Sequence, residues 1–168
     1  MDRPTIFLSY ARADLAFALR LAHGLRARGI EVWMDRDQLA PGQSWREAVD
    51  AALATASSCV VVVSKASCEP GGFAWTEWSF IQDAAWRRPD LKVVPVVLGS
   101  VELPTFLRAW QSVGPIPPSN PEVAVDHIMP AIYATAAGRK NVGRHELDRT
   151  RRRFDEIRES LEQMRKAH

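Results

Sequence analysis

Thr5-Ile6-Phe7-Leu8-Ser9-Tyr10, followed by Ala11-Arg12-Ala13-Asp14, decides how the rest of the chain is read. Ile6, Phe7 and Leu8 form a short unbroken apolar run, which suits a strand covered on both faces. Directly after it the period changes. Leu15, Ala18, Leu19, Ala22 and Leu25 recur at helical spacing, and Asp14 stands where an N-cap belongs. A buried strand thus ends in polar residues and hands over to a capped helix. In open α/β sheets, ligands sit outside the carboxyl ends of strands at such places, so Ser9 to Asp14 is the first stretch to search for a site.

Outward from this stretch the same alternation repeats. The first helix runs from about Asp14 to Arg28 and stops at Gly29, and Ile30 to Met34 reads as a second strand. The polar loop Asp35–Gln43 that follows is longer than most strand-to-helix connections, and long loops tend to carry function. Ser44-Trp45-Arg46-Glu47 reads as a capping box, with Trp45, Ala48, Val49, Ala52 and Leu53 as the apolar stripe of the next helix. Cys59-Val60-Val61-Val62-Val63 is β-branched and continuous, hence a strand buried on both faces. Beyond Ser64-Lys65 comes a breaker cluster, Cys68-Glu69-Pro70-Gly71-Gly72, and then a helix from about Phe73 to Arg87. Lys92 to Leu98 makes a fourth strand, in which Pro95 implies an edge position or a bulge. A short helical turn and a weak strand around Gln111–Val113 follow. Asn120-Pro121 opens another helix with Val125, Ile128, Met129 and Ile132 on its buried face; Pro130 predicts a kink or a later start. The expectation is an α/β domain: an open parallel sheet of about five strands with helices on both faces.

A chain of 168 residues with 46% hydrophobic and 25% charged residues is ordinary for one globular domain. No apolar run approaches the ~20 residues of a bilayer span. The Met-Asp-Arg-Pro opening has no signal-peptide character, and two cysteines, Cys59 and Cys68, imply neither a disulfide framework nor a zinc site. A cytoplasmic protein is the simple expectation, with no membrane partner. Residues 139–168 hold ten Lys/Arg against six Asp/Glu, so their net +4 leaves residues 1–138 at −2. A mildly acidic globular part argues against nucleic acid as a partner. Two parts are therefore expected, a domain over 1–138 and a charged amphipathic helix within 139–168. In the latter, Leu147, Phe154, Ile157, Leu161 and Met164 are spaced 7, 3, 4 and 3 apart. That spacing fits a heptad seam and equally a terminal helix packed on its own domain, so it reads as a linker or oligomerisation element.

Several chemistries find no support. There is no Gly-x-Gly-x-x-Gly after a strand and no Walker loop, and His23, His127, His145 and His168 lack metal-ligand spacing. A phosphorylatable receiver domain would want acidic residues where the first and third strands end in Ser9 and Ser64. What remains is a set of residues that a parallel sheet brings to one edge: Ser9, Tyr10, Arg12, Trp33, Asp35, Ser64, Lys65, then Phe73 and Glu77. Placed in the first turn of its helix, Glu77 has a purely structural explanation as well, since the macrodipole favours a carboxylate there.

These residues resemble a family. Phe7-Leu8-Ser9-Tyr10 with Asp14 looks like the first box of the Toll/interleukin-receptor (TIR) domain. Gly29-Ile30-Glu31-Val32-Trp33-Met34-Asp35, then Leu39 and Pro41-Gly42, is similar to its second strand and BB loop. Ser64 and Glu77 match the third region, commonly Trp-x-x-x-Glu, with Phe73 in place of the tryptophan and Trp75 nearby. The resemblance covers about residues 4–135 and implies a flavodoxin-like fold. It also implies, as in many bacterial TIR domains, cleavage of NAD at the nicotinamide–ribose bond with Glu77 as the catalytic carboxylate. Other members are adaptors that only self-associate, and that alternative stays open.

The implied chemistry is self-consistent. Ordinary glycosidases need two carboxyl groups because the leaving oxygen must be protonated. Nicotinamide leaves NAD as a neutral base, so one carboxylate that stabilises the oxocarbenium-like ribose suffices, with no metal and no cofactor beyond NAD as substrate. Phe73, Tyr10 and Trp33 are then candidate walls, Arg12 and Lys65 candidate phosphate partners, and Asp35 closes the loop behind it. Leu39, Pro41 and Gly42 belong to a loop that, in the similar family, reaches a neighbouring subunit. The partners implied are NAD, further copies of the chain, and a separate sensor or effector domain or protein, as in an immune or cell-death system.

Overall fold

In the computed structural model the described residues are 3–34, 41–42, 44–70 and 73–133, with only the backbone described for 73–76. Within them lie five strands, β1 Thr5–Ser9, β2 Glu31–Met34, β3 Ser58–Val63, β4 Lys92–Leu98 and β5 Val113–Ile116. Four helices connect or follow them: α1 Leu15–Ala27, α2 Trp45–Thr55, α3 Phe73–Arg87 and α4 Pro121–Tyr133. The strands form one parallel sheet in the order β2-β1-β3-β4-β5. This is the flavodoxin-like α/β arrangement, and its strand order reverses at β1/β3.

All six residues of β3 are buried, as a β-branched strand at the centre of a two-sided sheet should be. Its side chains alternate between two apolar layers. Val60 and Val62 join Ile6, Leu8 and Val94 beneath α1 and α4. Cys59, Val61 and Val63 join Phe7, Val93 and Val97 beneath α2 and α3. The helices that follow the neighbouring strands β1 and β3 therefore leave to opposite faces, α1 to one and α3 to the other.

The structure amends several local expectations. Neither predicted cap residue makes a side-chain capping bond: Ser44 precedes α2 and Asp14 precedes α1 without one. The Asp14 carboxylate is instead taken by Ser64, just beyond the end of β3. β4 does lie near an edge, with only β5 outside it, and β5 pairs with it only from Val96 onward and with a register shift before Leu98, so Pro95 precedes that pairing. β5 itself begins at Val113, later than the weak pattern suggested. α4 starts at Pro121 as expected and continues through Pro130, an exposed position where water can serve the carbonyl that proline leaves without an amide. Glu77 is the fifth residue of α3 and lies beyond its first turn, so the macrodipole does not explain its presence.

The helix expected within 139–168 lies outside the described residues, as do Asp35 and Leu39. Of the Asp35–Gln43 loop, Pro41 and Gly42 form an exposed turn in which Gly42 has φ +83°, a left-handed conformation that glycine adopts without strain. Among the described residues no helix is long and apolar enough to cross a membrane.

Candidate functional site

The carboxyl edge of the sheet is built first by β1 and β3. Ser9 ends β1 opposite Val61 and is fully buried. By strand alternation it faces the same side as Phe7, the α2/α3 layer. Its hydroxyl has no hydrogen-bond partner among the described residues, so a buried donor and acceptor stands open at this edge. On β3 the first residue beyond the strand is Ser64, 6% exposed. Its Oγ donates to Asp14 Oδ2 at 2.5 Å, across from the loop after β1. Burial raises the Asp14 carboxyl above its ordinary range, and the bond from Ser64 opposes that shift in part.

One row below Ser9, on the α2/α3 side, the register aligns Trp33, Phe7 and Cys59 across β2, β1 and β3. Trp33 stacks on Phe7, ring centroids 5.0 Å apart and 18° from parallel. Glu77, on α3, is fully buried, as is Cys59. Burial pushes the Cys59 thiol well up, and the nearby negative charge of Glu77 adds to the effect. The next residue, Trp78, is 2% exposed and packs its ring against Phe106 at 5.4 Å. A fully buried carboxylate thus lies near Cys59 on the α2/α3 side of the sheet.

The other predicted residues are distributed unevenly. Arg12 and Lys65 are exposed, on the loops after β1 and β3, as groups that meet a charged ligand from solvent would be. Tyr10 packs against the α1/α4 layer, so it lies on the face away from Glu77 and Trp33. Phe73 opens α3, four residues before Glu77, and its ring is not among the described side chains. Ser9, Trp33 and Glu77 therefore share one side of the sheet; Tyr10 does not. Among the described residues no three His, Cys, Asp or Glu side chains are grouped to hold a metal ion.

Sequence reading missed three participants. Asp14 looked like a helix cap, and nothing local signals that its partner is 50 residues away. Cys59 looked like one more core residue; only the fold places it beside Glu77. Ser67 had a signal that went unused, because Ser64-Lys65-Ala66-Ser67 is the spacing of a serine-stabilised turn.

A family model described as a TIR domain matches residues 6–120. The NAD(+) hydrolase PdTIR of Paracoccus denitrificans (strain Pd 1222) is 47% identical over 60 residues, 35% of this chain and 20% of that protein. The 2' cyclic ADP-D-ribose synthase BtTIR of Bacteroides thetaiotaomicron is 36% identical over 103 residues, 61% of this chain and 35% of that protein. The chain thus spans well under half the length of these relatives. Among solved structures, a chain of the RPS4 and RRS1 TIR domain heterodimer superposes with a TM-score of 0.57 at 19% identity, covering 80% of this chain and 98% of that one. That likeness shows the fold.

Proposed function

From the premise that the chain belongs to the TIR-domain family, we propose that it is an NAD+ nucleosidase that cleaves the nicotinamide–ribose bond, with Glu77 as its catalytic carboxylate. The observation that carries this reading is the complete burial of Glu77 in the apolar layer beneath the sheet's carboxyl edge. Carboxylates are among the side chains least often fully buried, and the position of Glu77 beyond the first turn of α3 leaves the helix dipole no part in its presence. A fully buried carboxylate near a sheet's carboxyl edge marks a candidate functional site. Names of relatives support the same chemistry: one is an NAD(+) hydrolase, another a 2' cyclic ADP-D-ribose synthase.

In this reading the carboxylate faces the ribose and stabilises the positive charge that develops as neutral nicotinamide departs. Ser9 offers its open hydroxyl at the end of β1, Trp33 and Phe73 wall the base, and Arg12 and Lys65 meet the phosphates from the two flanking loops. The proposed mechanism needs no metal and no cofactor besides NAD as substrate. Glu77 has no exposed surface in the single chain, so turnover requires its cover to open. Assembly of several copies through the Leu39–Gly42 part of the BB loop is the proposed means, in keeping with an effector that stays silent until a signal gathers it.

That same zero exposure favours a second reading, a TIR interaction module that binds other copies or partners without turnover. Incubating concentrated protein with NAD and measuring free nicotinamide separates the two. Nicotinamide is the right readout because hydrolysis and cyclisation both release it. Steady release above a boiled control supports the nucleosidase, and no release at any protein concentration favours the interaction module.

A further inference from the structure

Asp14 belongs to the loop after β1, and Ser64 to the loop after β3. One bond joins them, from Ser64 Oγ to Asp14 Oδ2 at 2.5 Å. The helices that follow diverge, α1 to one face of the sheet and α3 to the other. The crevice between two such loops is where open α/β sheets take their ligands.

Ser64 is bound from every side. Its Oγ also accepts the Ser67 N–H at 3.1 Å, and its own N–H donates to Ser67 Oγ at 2.7 Å. Its carbonyl accepts the Ser67 hydroxyl at 3.0 Å and the Cys68 N–H at 3.1 Å. The first turn of the β3–α3 loop is therefore wound on Ser64, with Ser67 1% exposed beneath it. Asp14 holds that wound turn against the β1–α1 loop. The Ser64 hydroxyl has committed its hydrogen to Asp14 and a lone pair to Ser67, and at 6% exposure it presents little to a ligand.

We infer that the Asp14–Ser64 bond is a strut that sets the width of the crevice between β1 and β3, and that both residues position the ligand-binding loops rather than touch the ligand. This rests on the nucleosidase reading. On one side of the strut lie Arg12 and Ser9; on the other lie Lys65 and the segment that leads to α3 and Glu77. A change of crevice width moves those two groups relative to each other. Misplacement of reacting groups by about 1 Å costs on the order of a hundredfold in rate, so the strut should register in kcat.

The test compares wild type, Asp14→Ala, Asp14→Asn, Ser64→Ala and the Asp14→Ala/Ser64→Ala double variant in nicotinamide release from NAD, well below their melting temperatures. Asp14 is half-buried and water can replace it, so these chains should fold. Asp14→Ala and Ser64→Ala are each expected to lower kcat by roughly tenfold or more, with a smaller change in KM. Asp14→Asn keeps an oxygen that accepts the Ser64 hydrogen and is expected to restore most of the rate. The double variant should be no slower than the worse single, because the second substitution removes a bond already lost. Active wild type with unchanged kcat in both alanine variants, or single effects that multiply in the double, overturns the strut and leaves the nucleosidase standing. Wild type that releases no nicotinamide overturns the nucleosidase reading, and the strut's role in catalysis with it.

Discussion

Asp14 shows how burial and a hydrogen bond compete on one side chain. Burial raises its carboxyl and the Ser64 hydroxyl lowers it, with burial the larger effect. The folded protein therefore binds more proton than the unfolded chain between the ordinary carboxylate range and the raised value. Asp14's contribution to stability is present below that window and falls as pH rises through it. Asparagine carries no charge at any pH and still accepts the Ser64 hydrogen. Asp14→Asn should thus gain stability relative to wild type as pH goes from about 3 to neutral. Urea midpoints across that range check it; a gap that stays constant with pH would show that the carboxyl is unperturbed. The residues Ser9, Trp33, Ser64 and Glu77 could be picked out of the sequence because strand ends in a parallel sheet must share an edge. Tyr10 follows the alternation of β1 one residue past its end: with Ile6 and Leu8 it takes the α1/α4 side, opposite Phe7, so grouping it with Trp33 as a wall ignored the strand's own period.

Elements were easier to find than their ends. β3 and α3 announce themselves through an unbroken β-branched run and a breaker cluster followed by helical spacing, and both appear where expected. β5 does not, because it is four residues long, mostly exposed, and interrupted by Gly114 and Pro115. Between elements, sequence says little about approach distance, and Gly24 illustrates it. A Cβ at Gly24 would stand 2.8 Å from Val125 Cγ2, so the missing side chain lets α1 lie close against α4. Alanine within a helix normally stabilises by about 1 kcal/mol over glycine. Here the contact is with a stiff β-branched residue, 2% exposed, that has little room to turn. Overpacking costs about 1–3 kcal/mol, so Gly24→Ala should lower stability by roughly 1 kcal/mol overall. Chemical denaturation measures this, and a stabilised variant would mean that α1 and α4 part easily. At the other face, Arg88 bonds the carbonyls of Leu53, Ala54 and Ala56 at the end of α2. This ties α2 to the helix that carries Glu77.

At the scale of the whole molecule, the apolar layers among the described residues run as far as Ile132 on α4. Residues 139–168 carry only a narrow apolar seam, and we expect them to be dispensable for folding and to matter for association. Chain ended after Gly138 should melt cooperatively near the full-length temperature and show a lower mass in light scattering at high concentration. Failure of the shortened chain to fold would make the basic segment part of the domain. Assembly is also where the burial of Glu77 acquires a consequence. If a neighbour helps uncover the carboxylate, specific activity must rise with protein concentration, and replacing Pro41-Gly42 should blunt that rise. Sequence pattern reached this far because two-layer α/β architecture follows from local periodicity. It could not reveal that the carboxylate is fully buried, since depth is set by how α3 seats on the sheet. The most direct measurement is nicotinamide release by wild type and Glu77→Gln, side by side, from nanomolar to high micromolar protein. Glutamine is nearly isosteric, so the variant should fold and release no nicotinamide, while wild-type specific activity climbs with concentration. A folded Glu77→Gln protein that turns over NAD at the wild-type rate would contradict the assignment.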